Sequence, residues 1–223
     1  MKINEKKTKS MIINFTNNYQ FTTRLLLNET NIEIVDKMKI LGTIITDKLT
    51  WTENCKELIS RVNKRMLLLK QTLSFGATRE EMVHLWILYC RSVLEQSAVV
   101  WSSSLTQENK DDLERTQKSF AKLVLKDEYK DGDNALLVLN LESLEKHWNH
   151  LYSSFANGWI KNHIYDDLFI ENNSNPTKTR FSEKYKVLKA NTDRMWNSNI
   201  IYMQNLLNTE HKRKLEESIS NEL

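Results

Sequence analysis

Four glycines and one proline in 223 residues cannot supply the turns that a sandwich or barrel of short strands requires. A chain this poor in both residues is built mainly from helices, which need an unusual backbone residue only where they stop. With 40% apolar residues and six tryptophans, it also has the material for a buried core and is not disordered throughout. The length fits one large domain or two small ones. A net charge of +3 does not by itself select a nucleic-acid partner, so that argument rests on where the charges lie.

Cys55 and Cys90 are too few and too far apart for a disulfide framework or a zinc site, and read as buried free thiols. The N-terminus has no apolar signal core, and no run reaches the length of a membrane span. The expectation is a soluble intracellular protein, in the cytoplasm or nucleus, without membrane contact.

Residues 1–48 hold short apolar runs rich in β-branched side chains: Met11-Ile-Ile-Asn-Phe15, Thr23-Arg-Leu-Leu-Leu27, Ile32-Glu-Ile-Val35 and Ile40-Leu-Gly-Thr-Ile-Ile45. Asn28-Glu-Thr-Asn31 reads as a turn, and Ile32 and Ile34 alternate with Glu33. Three or four antiparallel strands are expected, in a sheet too small to stand alone.

From residue 49 the apolar period changes to 3.6. Thr50-Trp-Thr-Glu53 has the spacing of a capping box, and a helix to about Ser74 follows, closed by Gly76. Its inward face carries Cys55, Leu58, Ile59, Val62, Met66, Leu69 and Leu73, while Arg61, Lys64 and Arg65 fall opposite. Thr78 and Glu81 form a second capping box for a central helix over 79–101, whose narrow polar stripe pairs Arg91 with Glu95. A third helix over 107–126 turns Leu113, Phe120, Leu123 and Val124 inward and Arg115, Lys118, Lys122 and Lys126 outward. Residues 127–135 read as a polar connection, and Ser143–His163 as a fourth helix carrying Leu144, Trp148, Leu151, Phe155 and Trp159. A mobile loop is expected at 171–182, then a short helix near 200–207 and a charged one at 209–219.

The fold class expected is therefore α+β and predominantly α. A small antiparallel sheet (1–48) precedes a helical bundle (49–130) and a helical C-terminal extension (131–223). Two basic rows stand out, Arg61, Lys64 and Arg65 on one helix and Arg115, Lys118, Lys122 and Lys126 on another. If those helices lie side by side, both rows can track phosphates; a solvated charged face is the plainer alternative. Asp111-Asp112 suits the positive end of a helix, and Asp166-Asp167 reads as a polar turn. His84, Cys55 and Cys90 lack metal-ligand spacing, and Trp86, Trp101, Trp148 and Trp159 sit at core spacing. No Gly-rich phosphate loop or Ser-His-Asp arrangement is visible.

Several segments, in order, resemble one family. Asn4-Glu-Lys-Lys7-Thr8-Lys9 is similar to the Asn-x-x-Lys-Thr-Lys segment that follows the catalytic hairpin in jockey-like reverse transcriptases of retrotransposons lacking long terminal repeats. Asn31-Ile-Glu-Ile-Val35, Met38-Lys-Ile-Leu-Gly42 and Leu49-Thr-Trp51 resemble that family's hairpin and primer-grip element. Leu85-x-x-x-Tyr89, Ser92-Val-Leu-Glu95, Val100-Trp101, Leu113-Glu-Arg-x-Gln117, Leu139-Asn-Leu-Glu-Ser-Leu-Glu145 and Trp196-Asn-Ser-Asn-Ile-Ile-Tyr-Met203 continue the series. The pattern departs at Ile40, at Glu95-Gln96-Ser97 and at His147 and Trp148.

The resemblance implies a palm edge (1–48), a thumb (49–130) and a following helical region, without the aspartates that hold two metal ions for nucleotidyl transfer. It also implies that Lys7 or Lys9 matches a lysine thought to assist departure of pyrophosphate, against the plainer reading of a strand-edge lysine. A chain without polymerase activity, cofactor or metal is expected. Its expected partner is an RNA–DNA primer–template duplex, held at Lys39, Arg61, Lys64, Arg65, Arg115, Lys118, Lys122 and Lys126. The alternative is a helical protein-interaction module docking through Trp148 and Trp159. The uncovered sheet is expected to promote self-association.

Overall fold

The structure, a computed structural model, describes residues 3–4, 7–15, 25–28, 30–172 and 183–220. Most of the loop expected at 171–182 therefore lies outside the described residues.

The N-terminal part forms three two-stranded pairs. β1 (Lys9–Ser10) runs parallel to β4 (Glu33–Ile34), whereas β2 (Leu26–Leu27) and β3 (Thr30–Asn31) pair antiparallel. The longest pair joins β5 (Lys37–Ile40) antiparallel to β6 (Thr43–Thr46). Three expectations change here. One pair is parallel, and residues 11–15 form no strand. The alternation at 32–35 fails as well: Ile34 is exposed beside Glu33, and Ile32 and Val35 are half-buried.

α1 spans Thr52–Ser74 and turns Cys55, Leu58, Val62 and Leu69 into the core, as its periodicity requires. Its capping box does not form. Trp51 is the N-cap without a side-chain bond, and the Thr50 hydroxyl lies 3.1 Å from that of Thr46 instead. Gly76, at φ +92°, closes the helix. α2 (Arg79–Leu85) starts at the expected box, with the Thr78 and Glu81 side chains each bonded to the other's backbone N–H.

The expected single helix over 79–101 is interrupted. α2 continues as a π-helical stretch, Trp86–Arg91, and a last turn, α3 (Ser92–Leu94). The chain then breaks, with Ser97 in the left-handed region at φ +56°, before α4 (Ala98–Trp101). α5 follows at Gln107–Leu125. α6 (Gly132–Val138) occupies part of what reads in sequence as a connection, because Asp131 caps it through Asn134 N–H at 2.8 Å. α7 spans Leu144–Lys161, capped by Ser143. α8 (Asp193–Trp196) and one continuous α9 (Asn199–Ser220) replace the two expected tail helices.

The amide of Asn109 donates to the Thr52 hydroxyl at 3.2 Å, and Arg79 binds Glu128 at 2.8 Å. Those contacts tie the starts of α1 and α5 together and their ends to the start of α2. α1 and α5 therefore run parallel, with α2 antiparallel to both. Between them Trp86 stacks on Phe120, ring centroids 4.5 Å apart and planes at 13°, and its indole N–H donates to Gln117 Oε1 at 3.3 Å. This core reaches the start of α7, where Trp148 meets Trp101 edge-on at 5.5 Å.

A second, smaller core gathers Tyr152, Ala156, Phe169, Tyr185, Met203 and Leu207. Two amides one turn apart on α9 tie extended backbone to it. Asn208 accepts from Tyr185 N–H at 2.8 Å and donates to Tyr185 O at 2.9 Å, as a neighbouring strand would. Gln204 accepts from Leu188 N–H at 3.0 Å and donates to Leu168 O.

Trp86 is fully buried and touches the centre of the larger core. Trp86→Ala is expected to cost about 3–5 kcal/mol of stability, read as a lowered urea midpoint. A loss below about 1 kcal/mol would show that the Trp86–Phe120 stack does not hold these helices together.

Candidate phosphate-binding surface

β5 and β6 meet in a two-residue turn, Leu41-Gly42, with both residues at positive φ (48° and 89°). Such a turn matches the twist of the paired strands. Gly42 is required twice over: its φ is left-handed, and a Cβ there would sit 2.3 Å from Gln96 Nε2. The same Gln96 nitrogen donates to Leu41 O at 2.8 Å, while Gln96 Oε1 accepts from Arg61 Nη1 at 3.0 Å. Lower down, Ile44 N–H donates to Asn54 Oδ1 at 3.0 Å. The hairpin is thus pinned to α1 at its tip and along its inner strand.

This docking fixes where the lysines of β5 point. Lys37 and Lys39, two residues apart on one strand, share a side. Lys9 of β1 and Lys7, in the 3-10 turn just before it, meet them around a polar depression of about 460 Å³. The lysines reach exposed carboxylates. Lys9 lies 3.1 Å from Glu33, Lys37 4.0 Å from Glu53, and Lys39 3.0 Å from Glu57. The hydrogen bond from Lys39, then its charge, holds the Glu57 carboxyl below the usual range, and Arg61 and Lys64 add to the effect. Ion pairs at such exposed positions are weak, so a phosphate can draw these lysines away at little cost.

The eight basic residues singled out in the sequence divide into two sets. Lys39, Arg61 and Lys64 gather around Glu57. Arg61 and Arg65, expected on an outward row, are half-buried against the following helix: Arg61 binds Gln96, and Arg65 lies over the Tyr89 ring at 5.1 Å with Nη1 on Tyr89 O. Lys64 alone of that row is fully outward.

The α5 row is occupied locally. Arg115 binds Asp112 at 2.7 Å, Lys118 binds Asp133 at 2.7 Å, and Lys122 lies 5.6 Å from the Tyr129 ring centre. The hydrogen bond to Asp133 raises the Lys118 pKa. Lys126 is exposed at the helix end. Lys7, Lys9 and Lys37 were not picked as phosphate contacts from sequence. For Lys37 the readable signal is its two-residue spacing from Lys39 on one strand.

Burial pushes the Cys55 thiol up to about 12 and that of Cys90 to about 11. Among the described residues no group of three or more His, Cys, Asp or Glu is placed to hold a metal ion. No described helix is long and apolar enough to cross a membrane. No family model matches the chain, and no curated protein and no solved structure is significantly similar to it.

Beside Gln96 lies a half-buried cluster of ionisable groups that the sequence foretold in part. Arg91 Nε and Glu95 Oε1 are 2.8 Å apart, the pair expected from their four-residue spacing. Neither atom has a well-aligned hydrogen bond, so the contact is ionic in character. His147 Nε2, from α7, stands 3.1 Å from the same carboxylate oxygen. Burial raises the Glu95 pKa, and burial, then the Arg91 charge, lowers that of His147.

These shifts act in opposite directions on stability. His147 is held neutral by the fold, so its contribution is full above its ordinary pKa of 6.5 and is lost as pH falls through its lowered value. Glu95 is costly when ionised, and that cost lessens as pH falls through its raised value. Urea midpoints measured between pH 8 and 5.5 are expected to fall below pH 6.5 in the wild type and to fall less in His147→Gln. Identical slopes for the two proteins would show that His147 is not held neutral.

Proposed function

We propose that this chain is a reverse-transcriptase-like unit that binds the phosphate backbone of nucleic acid and performs no nucleotidyl transfer by itself. One observation carries the reading: Lys7, Lys9, Lys37 and Lys39 converge on a single polar depression beside a rigidly docked hairpin. Four lysines around one concavity can attract a polyanion once drawn from their exposed carboxylates, and their flexible stems follow successive phosphates without reading bases. The ordered sequence resemblance supports the RNA–DNA hybrid duplex as the form bound. Free buried thiols support an intracellular setting.

The two adjacent-aspartate pairs serve local structure. Asp111 accepts from Gln107, and Asp112 pairs with Arg115 within α5. Asp166 and Asp167 begin a 3-10 turn, Asp166–Leu168, where Asp166 meets His163 at 3.1 Å. The alternative, docking of a protein through Trp148 and Trp159, meets an obstacle. Trp148 is buried in the larger core and Trp159 is half-buried against the smaller one.

Fluorescence-anisotropy titration with a labelled RNA–DNA hybrid at several salt concentrations tests the reading. Four phosphate contacts are expected to give a log–log salt slope of about −3 to −4. Lys37→Glu with Lys39→Glu is expected to weaken binding and to flatten that slope by about two. Arg115→Glu with Lys122→Glu is expected to change little. Absence of binding at low salt would sink the proposal, and a loss confined to the α5 double variant would move the phosphate path to that helix.

A further inference from the structure

α1 and α2 present an apolar face that no described part of the chain covers. Leu68 of α1 and Phe75, just past its end, are 54% and 88% exposed, and Leu88, on the π-helical stretch that continues α2, is 71% exposed. Between these ridges Thr72, Ala77, Glu81, His84 and Leu85 line a groove of about 630 Å³, with Phe75 at its rim. Patches of this kind on helix pairs are interaction sites.

The charges around the face are segregated along it. Glu81 stands at the turn end, ionised, because the Thr78 backbone N–H and hydroxyl both donate to it. Lys64 and Arg65 stand at the opposite end, about 15 Å away along α1 at the usual helical rise. One end is acidic, the other basic, and the middle is leucine. Such a face is complementary to itself when turned by half a rotation.

We propose that this face docks on the same face of a second copy of the chain, antiparallel about a two-fold axis passing between Leu68 and Leu88. The two helix pairs then complete a four-helix bundle. Glu81 of each copy comes opposite Lys64 and Arg65 of the other, and Phe75 reaches the level of the Arg65–Tyr89 contact. Docking with both pairs in the same direction sets Glu81 against Glu81 and is disfavoured. A face two helices wide and a few turns long belongs to the small, transient class of interfaces, so micromolar pairing is expected.

Sedimentation velocity of the full chain over micromolar concentrations tests this, with far-UV circular dichroism confirming that each variant folds. The wild type is expected to convert from monomer to dimer and to stop there. Leu88→Glu and Leu68→Lys are each expected to remain monomeric. An equimolar mixture of the two is expected to dimerise, because the half-turn sets position 88 of one copy against position 68 of the other and so pairs the two introduced charges. Phe75→Ser is expected to weaken pairing by about tenfold.

A wild type that stays monomeric overturns the proposal, as does a mixture of the Leu88→Glu and Leu68→Lys variants that fails to pair. Association that survives Leu88→Glu and Phe75→Ser but is lost in Leu26→Glu or Ile34→Glu also overturns it. That result would place the contact on the N-terminal strands.

Discussion

Residues 95–97 leave the helical path, and the three side chains and backbone groups released there join four parts of the molecule. Glu95 meets Arg91 and His147, which ties the interrupted helix to α7. The Gln96 amide bonds the hairpin tip and Arg61 of α1 with its two ends. Gln96 O accepts the Trp101 indole N–H at 3.0 Å, which seats that ring beside Trp148. A helix running straight through would have locked Gln96 O into an intrahelical bond and aimed its side chain elsewhere. The left-handed Ser97 therefore stores a local strain that the surrounding contacts offset.

The helical frame was legible in sequence because its signals are local. The Thr78–Glu81 box, the Gly76 stop and the 3.6-residue period of α1, α5 and α7 each act within a few residues. Most of what failed depends on contacts distant in the chain. Thr50 is the exception: in the turn that leaves the hairpin its hydroxyl lies 3.1 Å from that of Thr46, four residues back, and caps no helix. The break at 95–97 has no glycine or proline to announce it, and its partners come from residues 41, 61 and 147. α6 was missed because its seven residues are too short to show a period, although Asp131 was a readable cap.

The candidate site divides along the same line. Helical wheels identify side chains that point away from a core, and they placed Lys64, Arg115 and Lys122 correctly at the surface. They cannot show that a neighbouring helix reaches for Arg61 and Arg65, nor that Asp133 waits for Lys118. Three of the lysines that converge lie on short strands and Lys7 in the turn before β1, where spacing does not show which segment lies next to which. The parallel pairing of β1 with β4, and the close approach of β1 to β5, appear only in three dimensions.

Electrostatic pairing in this protein differs sharply between its interior and its rim, and the difference decides what each part can do. At the lysine depression every ion pair is exposed, so its net contribution is small and its partners exchange readily. A polyanion that arrives there competes with water and with weakly held carboxylates. At the Arg91–Glu95 pair, beside the neutral His147, the charges are half-buried, and removing either ion leaves the other poorly solvated and uncompensated. Gln96, uncharged and between the two, carries the coupling: it holds the hairpin that aims Lys37 and Lys39, and its backbone follows directly on Glu95. The half-buried cluster is therefore suited to fixing position, and the exposed one to binding, because only the second can change partners without a desolvation cost.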